Sequence, residues 1–285
     1  MARRVVMVLG GGGAKCVAQA GAWKAVVEWG GQVVHVLGTS MGAVMGAALA
    51  AGVSPDGLIT AAKALRAKDI AAVDLLALAK GMYATSLLKP GALKRTIARL
   101  VPAKSFGALR LPLTLTTTDA DTGDLVLFGA PVSTSAPARH LGAEVPLVDA
   151  LYASCALPLY FPPGFLAGRR LADGGLRAVL PVDLARGMAA DVVVAVDVGP
   201  GFDETAGPTR SVVPPLIRAH GEAIRIMMAA QTERAIAAWP KDAPRLVVVR
   251  AVAEKEATFA VRQTARYFAA GYETTQQALR ATFAP

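Results

Sequence analysis

A polar turn splits the longest apolar stretch of this chain and constrains how everything around it can fold. From Val33 to Val53 no residue carries a formal charge if His35 is neutral, and the run is long enough to raise the question of a bilayer span, which takes about 20 apolar residues. Gly42 and Gly46 even have the spacing of a helix-dimerisation motif. Gly38-Thr39-Ser40 interrupts the run, however, and divides it into a β-branched strand, Val33 to Leu37, and a small-residue helix, Met41 to Ala51, closed by Gly52 and Pro55. No transmembrane helix is therefore expected, and the two glycines are read as serving close packing of that helix on a sheet.

The same pattern occurs one unit earlier. Val5 to Leu9 is a buried-type strand that ends in four glycines, Gly10 to Gly13, and Ala14 to Trp29 then has helical spacing at Val17, Ala20, Gly21, Trp23 and Val27. Two successive units of this kind predict an α/β fold, a three-layer α/β/α arrangement with a mainly parallel central sheet. Residues Pro55 to Val101 read as a mainly helical insertion, broken at Gly81 and Pro90-Gly91. Leu111 to Thr118 and Asp124 to Phe128 flank the turn Asp121-Thr122-Gly123 as neighbouring strands. A short strand ends at Asp173-Gly174-Gly175, Val192 to Val198 is another buried strand, and Gly201 to Thr209 reads as a loop. Val212 to Trp239 and Thr258 to Thr282 read as helices with the strand Leu246 to Val252 between them. With no internal repeat, one domain over residues 1–285 is expected, the helices and strand of 210–285 packing on the rest.

Composition excludes several classes. The formal net charge of +9 and pI near 9.8 favour anionic surfaces, but the lysines and arginines are scattered, without the dense run of a nucleic-acid arm. The expected partners are a substrate and, peripherally, an anionic membrane, with no nucleic acid; oligomeric state is not readable. Arg3 and Arg4 precede an apolar stretch too short for a signal peptide, so a mature start close to Met1 and a cytoplasmic location are expected. Cys16 and Cys155 form neither a disulfide framework nor a metal-ligand spacing, and read as small buried residues.

Chemistry concentrates at three places. Gly38-Thr39-Ser40-Met41-Gly42 fits G-x-S-x-G between a strand and a helix, the context in which the serine is pushed into a strained, exposed elbow. A helix-capping Ser40 is the plainer alternative. Gly10 to Gly13, with Ala14 and Lys15, opens the first helix and lets backbone amides converge on a phosphate or an oxyanion. Phosphate-loop readings fail, because Cys16 follows Lys15 where Ser or Thr is needed and the dinucleotide spacing breaks at its last glycine. A glycine turn that only permits tight packing explains the same residues, and Lys15 either orients the loop, meets substrate phosphate or is a solvated helix-start lysine.

An activated serine needs a base. His35 lies on the strand leading to Ser40, His140 in a polar segment and His220 within a predicted helix; His220 alone follows Asp173 in the order Ser, Asp, His. Asp173, at a strand end before two glycines, is the remaining candidate, with a turn-stabilising role as its alternative.

Taken in order, Gly10 to Lys15, Gly38 to Gly42 and Asp173-Gly174-Gly175 resemble the patatin-like phospholipases, especially their bacterial branch. Thr116 to Asp119 with Asp121 to Gly123, Ala153 to Pro158 with Phe161 to Pro163, and Leu180 to Asp183 add to the likeness, which covers roughly residues 4–200. The resemblance implies a patatin-like fold, acyl-ester hydrolysis of phospholipids or related lipids, no metal and no organic cofactor. It implies a Ser-Asp dyad without histidine: Ser40 as nucleophile, Asp173 as base, and the amides of Gly11, Gly12 and Gly13 as oxyanion hole. Two departures stand out: Cys16 where the family commonly has glycine, and Arg177, Ala178 and Val179 where it often has an asparagine. The second bears on the acyl pocket and so on the substrate class.

Around this core, Leu75, Leu76, Leu78, Met82, Tyr83, Leu87 and Leu88, near Lys80, Lys89, Lys94 and Arg95, read either as a membrane-touching lid or as ordinary amphipathic cover. Tyr160, Phe161 and Phe165 are candidates for an acyl channel, with packed aromatics as the alternative. A non-catalytic lipid-binding or regulatory protein, and an acyltransferase or thioesterase using the same nucleophile, are the rival functions.

Overall fold

Strand and helix alternate from the first residues onward. The computed structural model describes residues 2–79, 81–132, 137–205, 215–253 and 261–284. Its first half runs β1 (Arg3–Leu9), α1 (Val17–Glu28), β2 (Gly31–Thr39), α2 (Met41–Ala50), α3 (Pro55–Lys63), α4 (Ala67–Ile70), α5 (Leu75–Ala79) and α6 (Pro90–Leu100). Then come β3 (Leu113–Asp119), β4 (Leu125–Gly129), β5 (Ala138–His140), α7 (Leu147–Ser154), β6 (Gly164–Leu166), β7 (Arg169–Asp173) and α8 (Gly175–Ala178). β8 (Val192–Asp197), α9 (Pro215–Ala237), β9 (Arg245–Arg250) and α10 (Thr264–Phe283) complete it.

The sheet has the order β5-β4-β3-β2-β1-β8-β9, and β7, itself paired with β6, joins β3. β1 runs parallel to both β2 and β8, β2 parallel to β3, and β8 parallel to β9, while β4 and β7 run antiparallel to β3. Successive side chains of a strand point to opposite faces, so Val5, Met7 and Leu9 of β1 enter one core and Val6 and Val8 another. The first core is closed by α1, α2, α6, α7 and α10, through residues such as Ala22, Val44, Ile97, Leu151 and Leu279. The second is closed by Leu180, Val182 and Leu184 together with Ile236 and Trp239. Helical cover on both faces makes the expected α/β/α sandwich with a mainly parallel sheet.

Every residue of α2 is buried, which explains its small side chains and lack of a polar face. A Cβ on Gly42 would lie 2.3 Å from the Leu9 carbonyl oxygen, so the glycine lets the helix touch β1. Among the described residues no helix is long and apolar enough to cross a membrane.

The structure departs from the sequence expectation in places. Pro90-Gly91 opens α6 and does not break a helix, because a proline ring suits the first helical turn, where its missing N–H is not needed. α7, and the three-residue strands β5 and β6, carry too few residues for periodicity to reveal them. Lys80, the end of the expected loop Gly201 to Thr209 and the starts of the helices expected from Val212 and Thr258 lie outside the described residues. So do the side chains of Leu78 and Met82.

Candidate active site

Two strands meet head to head along one side of β3. Thr39, the last residue of β2, pairs with Thr116, and Asp173, the last residue of β7, pairs with Thr117. Because β2 runs parallel to β3 and β7 antiparallel, their carboxyl ends converge on adjacent residues. The chain after Thr39 and the side chain of Asp173 thereby reach one point, and Ser40 Oγ donates a hydrogen bond to Asp173 Oδ2 at 2.7 Å.

Ser40 adopts φ 54°, ψ −133° immediately before α2, a conformation that side chains rarely take. Its own side chain makes no capping bond to the helix, so the capping alternative does not describe it. The strained turn is held from several sides. Ser40 N–H donates to Ser154 Oγ at 2.8 Å, and that hydroxyl donates to the Thr116 carbonyl at 2.7 Å. Thr39 Oγ1 donates to the Ala178 carbonyl at 2.8 Å and lies 2.7 Å from Thr116 Oγ1. A Cβ on Gly174 would sit 2.2 Å from Thr116 Oγ1, so only glycine lets the chain after Asp173 pass the β3 backbone.

Asp173 is 4% exposed. Burial raises its pKa to about 6, against the opposing pull of hydrogen bonds from Ser40 Oγ and from the Gly175 amide, which reaches Oδ1 at 2.7 Å. A hydroxyl hydrogen-bonded to a buried carboxylate is a geometry in which the carboxylate can accept the hydroxyl proton. None of the three histidines hydrogen-bonds either residue. His35 is buried on β2 against Thr114 Oγ1 at 2.9 Å, with burial lowering its pKa to about 4. His140 is exposed and lies against the Ala130 carbonyl, and His220 is exposed on α9.

The glycine loop lies against the elbow: a Cβ on Gly11 would come 3.1 Å from Ser40 Cβ. Its amides are not equivalent. Gly11 N–H donates to the Val179 carbonyl at 2.9 Å, and Gly10 N–H to the Val196 carbonyl at 3.2 Å. Gly12 is extended at φ 176°, and a Cβ there would meet the Val198 carbonyl oxygen at 2.3 Å; Gly13 has φ 59° and begins a 3-10 turn that leads into α1. Lys15 is buried and ion-pairs with Glu204 at 3.1 Å, while Arg225 holds the other Glu204 oxygen at 2.9 Å. Burial lowers the Lys15 pKa and the Glu204 carboxylate opposes that shift. This network ties the loop after β8 to the base of the glycine loop.

Phe161 is buried, edge-on to Tyr152 at 6.4 Å, and Tyr160 is half-buried, its carbonyl accepting the Leu88 amide at 2.9 Å. Phe165 is 76% exposed. Cys16 and Cys155 are both free and buried, which pushes both thiols up, and Cys155 Sγ lies 4.0 Å from Met41 Sδ. Sequence reasoning gave no role to Ser154 or Thr116, although both fall in stretches it singled out; their part depends on strand register, which no local pattern encodes.

The profile described as patatin-like phospholipase matches residues 7–186. An uncharacterized NTE family protein of Mycobacterium tuberculosis is 32% identical over 211 residues, covering 74% of this chain and 52% of that protein. Patatin-like phospholipase domain-containing protein 7 of Rattus norvegicus is 34% identical over 203 residues, 70% of this chain and 14% of that protein. The chain thus spans about half of the one relative and a small part of the other. Among solved structures, VipD from Legionella pneumophila aligns with a TM-score of 0.47 at 16% identity, over 98% of this chain and 67% of that one. With a glycine loop, a G-x-S-x-G elbow and an Asp-Gly-Gly turn inside a matched region of 7–186, the chain belongs to the patatin-like phospholipase family.

Proposed function

We propose that this protein is a serine acyl hydrolase of lipid esters, a carboxylic ester hydrolase working through a Ser40–Asp173 dyad. The observation that carries the reading is the 2.7 Å hydrogen bond from a strained Ser40 to a buried Asp173. Ser40 Oγ attacks the ester carbonyl as Asp173 Oδ2 takes its proton. The tetrahedral intermediate collapses, the leaving alcohol receives that proton, and an acyl-Ser40 remains. Water then gives its proton to Asp173 and attacks the acyl group; on collapse the proton returns to Ser40 Oγ and the acid departs.

The oxyanion is assigned to the amides of Gly12 and Gly13, with Gly11 serving the loop through Val179. Lys15 is assigned to holding that loop from below through Glu204, and not to substrate phosphate. Tyr160 and Phe161 are assigned to the wall beside the site, with Tyr160 fastening the insertion there.

Lipid as the substrate class is supported by the surface of the insertion. Leu75, Leu76 and Tyr83 are 73%, 75% and 88% exposed on a segment pinned to residues 159–160 by the Leu87 and Leu88 amides. Exposed apolar side chains on a chain of net charge +9 fit peripheral contact with an anionic bilayer. The test is hydrolysis of p-nitrophenyl esters and of phospholipid vesicles by wild type, Ser40→Ala and Asp173→Asn. Turnover by wild type alone is the expected result; a folded wild type inactive on both substrates, with detergent present, would sink the assignment.

A further inference from the structure

Glu204 lies between β8 and α9, in a stretch that reads from sequence as a plain loop. Its side chain is 2% exposed, yet it takes two cations from two different elements. Lys15 Nζ, from the turn leading into α1, reaches Oε1 at 3.1 Å, and Arg225 Nη1, from α9, reaches Oε2 at 2.9 Å. Lys15–Glu204 is the most buried of the described ion pairs.

The same cations also hold the backbone around Glu204. Lys15 Nζ donates to the Gly199 carbonyl at 3.4 Å and Arg225 Nη1 to the Gly201 carbonyl at 3.2 Å. Arg250 of β9 adds a further brace, donating to the Gly199 carbonyl at 2.7 Å and pairing with Asp197 and Asp203. This braced segment lies directly against the glycine loop: a Cβ on Gly12 would meet the Val198 carbonyl oxygen at 2.3 Å, and one on Gly199 would come 3.1 Å from the Gly11 carbonyl oxygen. α9 passes close to the dyad, since a Cβ on Gly175 would lie 3.0 Å from Asp173 Oδ1 and 3.1 Å from Met228 Cε.

Stability alone does not account for this arrangement. Taking a carboxylate and two cations out of water costs about as much as their attraction returns, and apolar side chains of similar size would fill the space as well. What apolar side chains do not supply is direction, with donors aimed at particular carbonyls and two cations held at the ends of one rigid carboxylate. We propose that Glu204 is a positioning residue: by sharing its carboxylate between Lys15 and Arg225, it locks the glycine loop, the segment after β8 and α9 into one unit and so sets where the amides of Gly12 and Gly13 point. The catalytic consequence rests on the reading of those amides as the oxyanion hole; the mechanical one does not. Charge on the oxyanion develops only in the transition state, so misplaced amides lower kcat more than they raise KM.

The test compares the full chain with Glu204→Gln and Arg225→Gln in two measurements. The first is hydrogen exchange, read by NMR at the Gly11 and Lys15 amides, which donate to the Val179 and Gly12 carbonyls, with the Ala43 amide at the Ser40 elbow as reference. Glu204→Gln is expected to speed exchange at Gly11 and Lys15 by about tenfold or more and leave Ala43 unchanged; Arg225→Gln, which keeps the Lys15 pair, should speed it about threefold. The second is turnover of a p-nitrophenyl ester, where Glu204→Gln is expected to lower kcat by about tenfold to a hundredfold with KM within about twofold. Lys15→Met combined with Glu204→Leu separates positioning from stability, and carries both measurements if Glu204→Gln does not fold. This apolar pair is expected to resist denaturant nearly as well as the wild type while kcat stays low and exchange stays fast. Faster exchange in a protein whose wild type turns over no ester would uphold the brace and sink the hydrolase reading alone. Unchanged exchange at Gly11 and Lys15 in the folded variants, or wild-type kcat in the apolar pair, would overturn the proposal.

Discussion

The corner around Ser40 and the insertion of residues 55–101 manage exposed chemistry in opposite ways. At the corner, the strained serine is fixed by Ser154, Thr116, Thr39 and Asp173. In the insertion, Leu75, Leu76 and Tyr83 stand largely in solvent on short helical pieces. The difference teaches where each kind of energy is held. Positioning a proton transfer needs groups fixed to a fraction of an ångström, which a sheet supplies. Meeting a bilayer, the role proposed for the insertion, would need apolar area that is unsatisfied until the bilayer is there.

The largest effects are expected at the corner. Ser40→Ala and Asp173→Asn should each lower kcat/KM for a soluble ester by about 10³-fold or more, and the double variant should be little worse than either if the two act as the proposed dyad. Additive losses would separate them and break the dyad. Gly12→Ala is next: a Cβ would meet the Val198 carbonyl oxygen at 2.3 Å and displace the loop amides, with about a 10²-fold fall in kcat expected while Ser40 stays in place.

The insertion should behave differently. Leu75→Asp with Leu76→Asp is expected to lower hydrolysis of anionic vesicles by about tenfold, as buried apolar area at the membrane is lost, and to leave soluble-ester turnover unchanged. An equal loss on both substrates would mean that the insertion is part of the corner after all.

The smallest effect has an unusual sign. Asp173 has a pKa raised by burial to about 6, so the folded state favours its protonated form. The stability this gives is fully present below the ordinary carboxylate pKa and is lost as pH rises from about 4 through about 6. Asp173→Asn should therefore stabilise the protein by about 1–3 kcal/mol at pH 8 and by little at pH 4, read from denaturant unfolding at both values. With Asp173 as the proposed base, kcat/KM of the wild type is expected to fall below about pH 6, and His35, His140 or His220 replaced by Asn should leave that limb where it is.

Much of the corner was legible because its parts are local. Gly38 to Gly42 sits between a strand and a helix, and Asp173 ends a strand before glycines, so residue type and neighbours marked both as candidates, and the resemblance to the patatin-like phospholipases paired them. What decides that they meet is not local: Thr39 opposite Thr116 and Asp173 opposite Thr117 are register facts joining segments far apart in sequence. Ser154 escaped notice for the same reason, since it closes a short helix, α7, that periodicity does not mark. The glycine loop shows the limit within one motif: three consecutive glycines look alike in sequence, yet the carbonyl of Val179 takes the amide of Gly11. In the insertion, proline at 90 misled because the same ring that breaks a helix interior also begins one.

The most direct test of the dyad is to map a fluorophosphonate adduct by mass spectrometry in wild type and Asp173→Asn. The account predicts one adduct, on the peptide containing Ser40, formed readily by wild type and far more slowly by the variant. An adduct on another residue, or equal labelling of Ser40 in the two proteins, would contradict it.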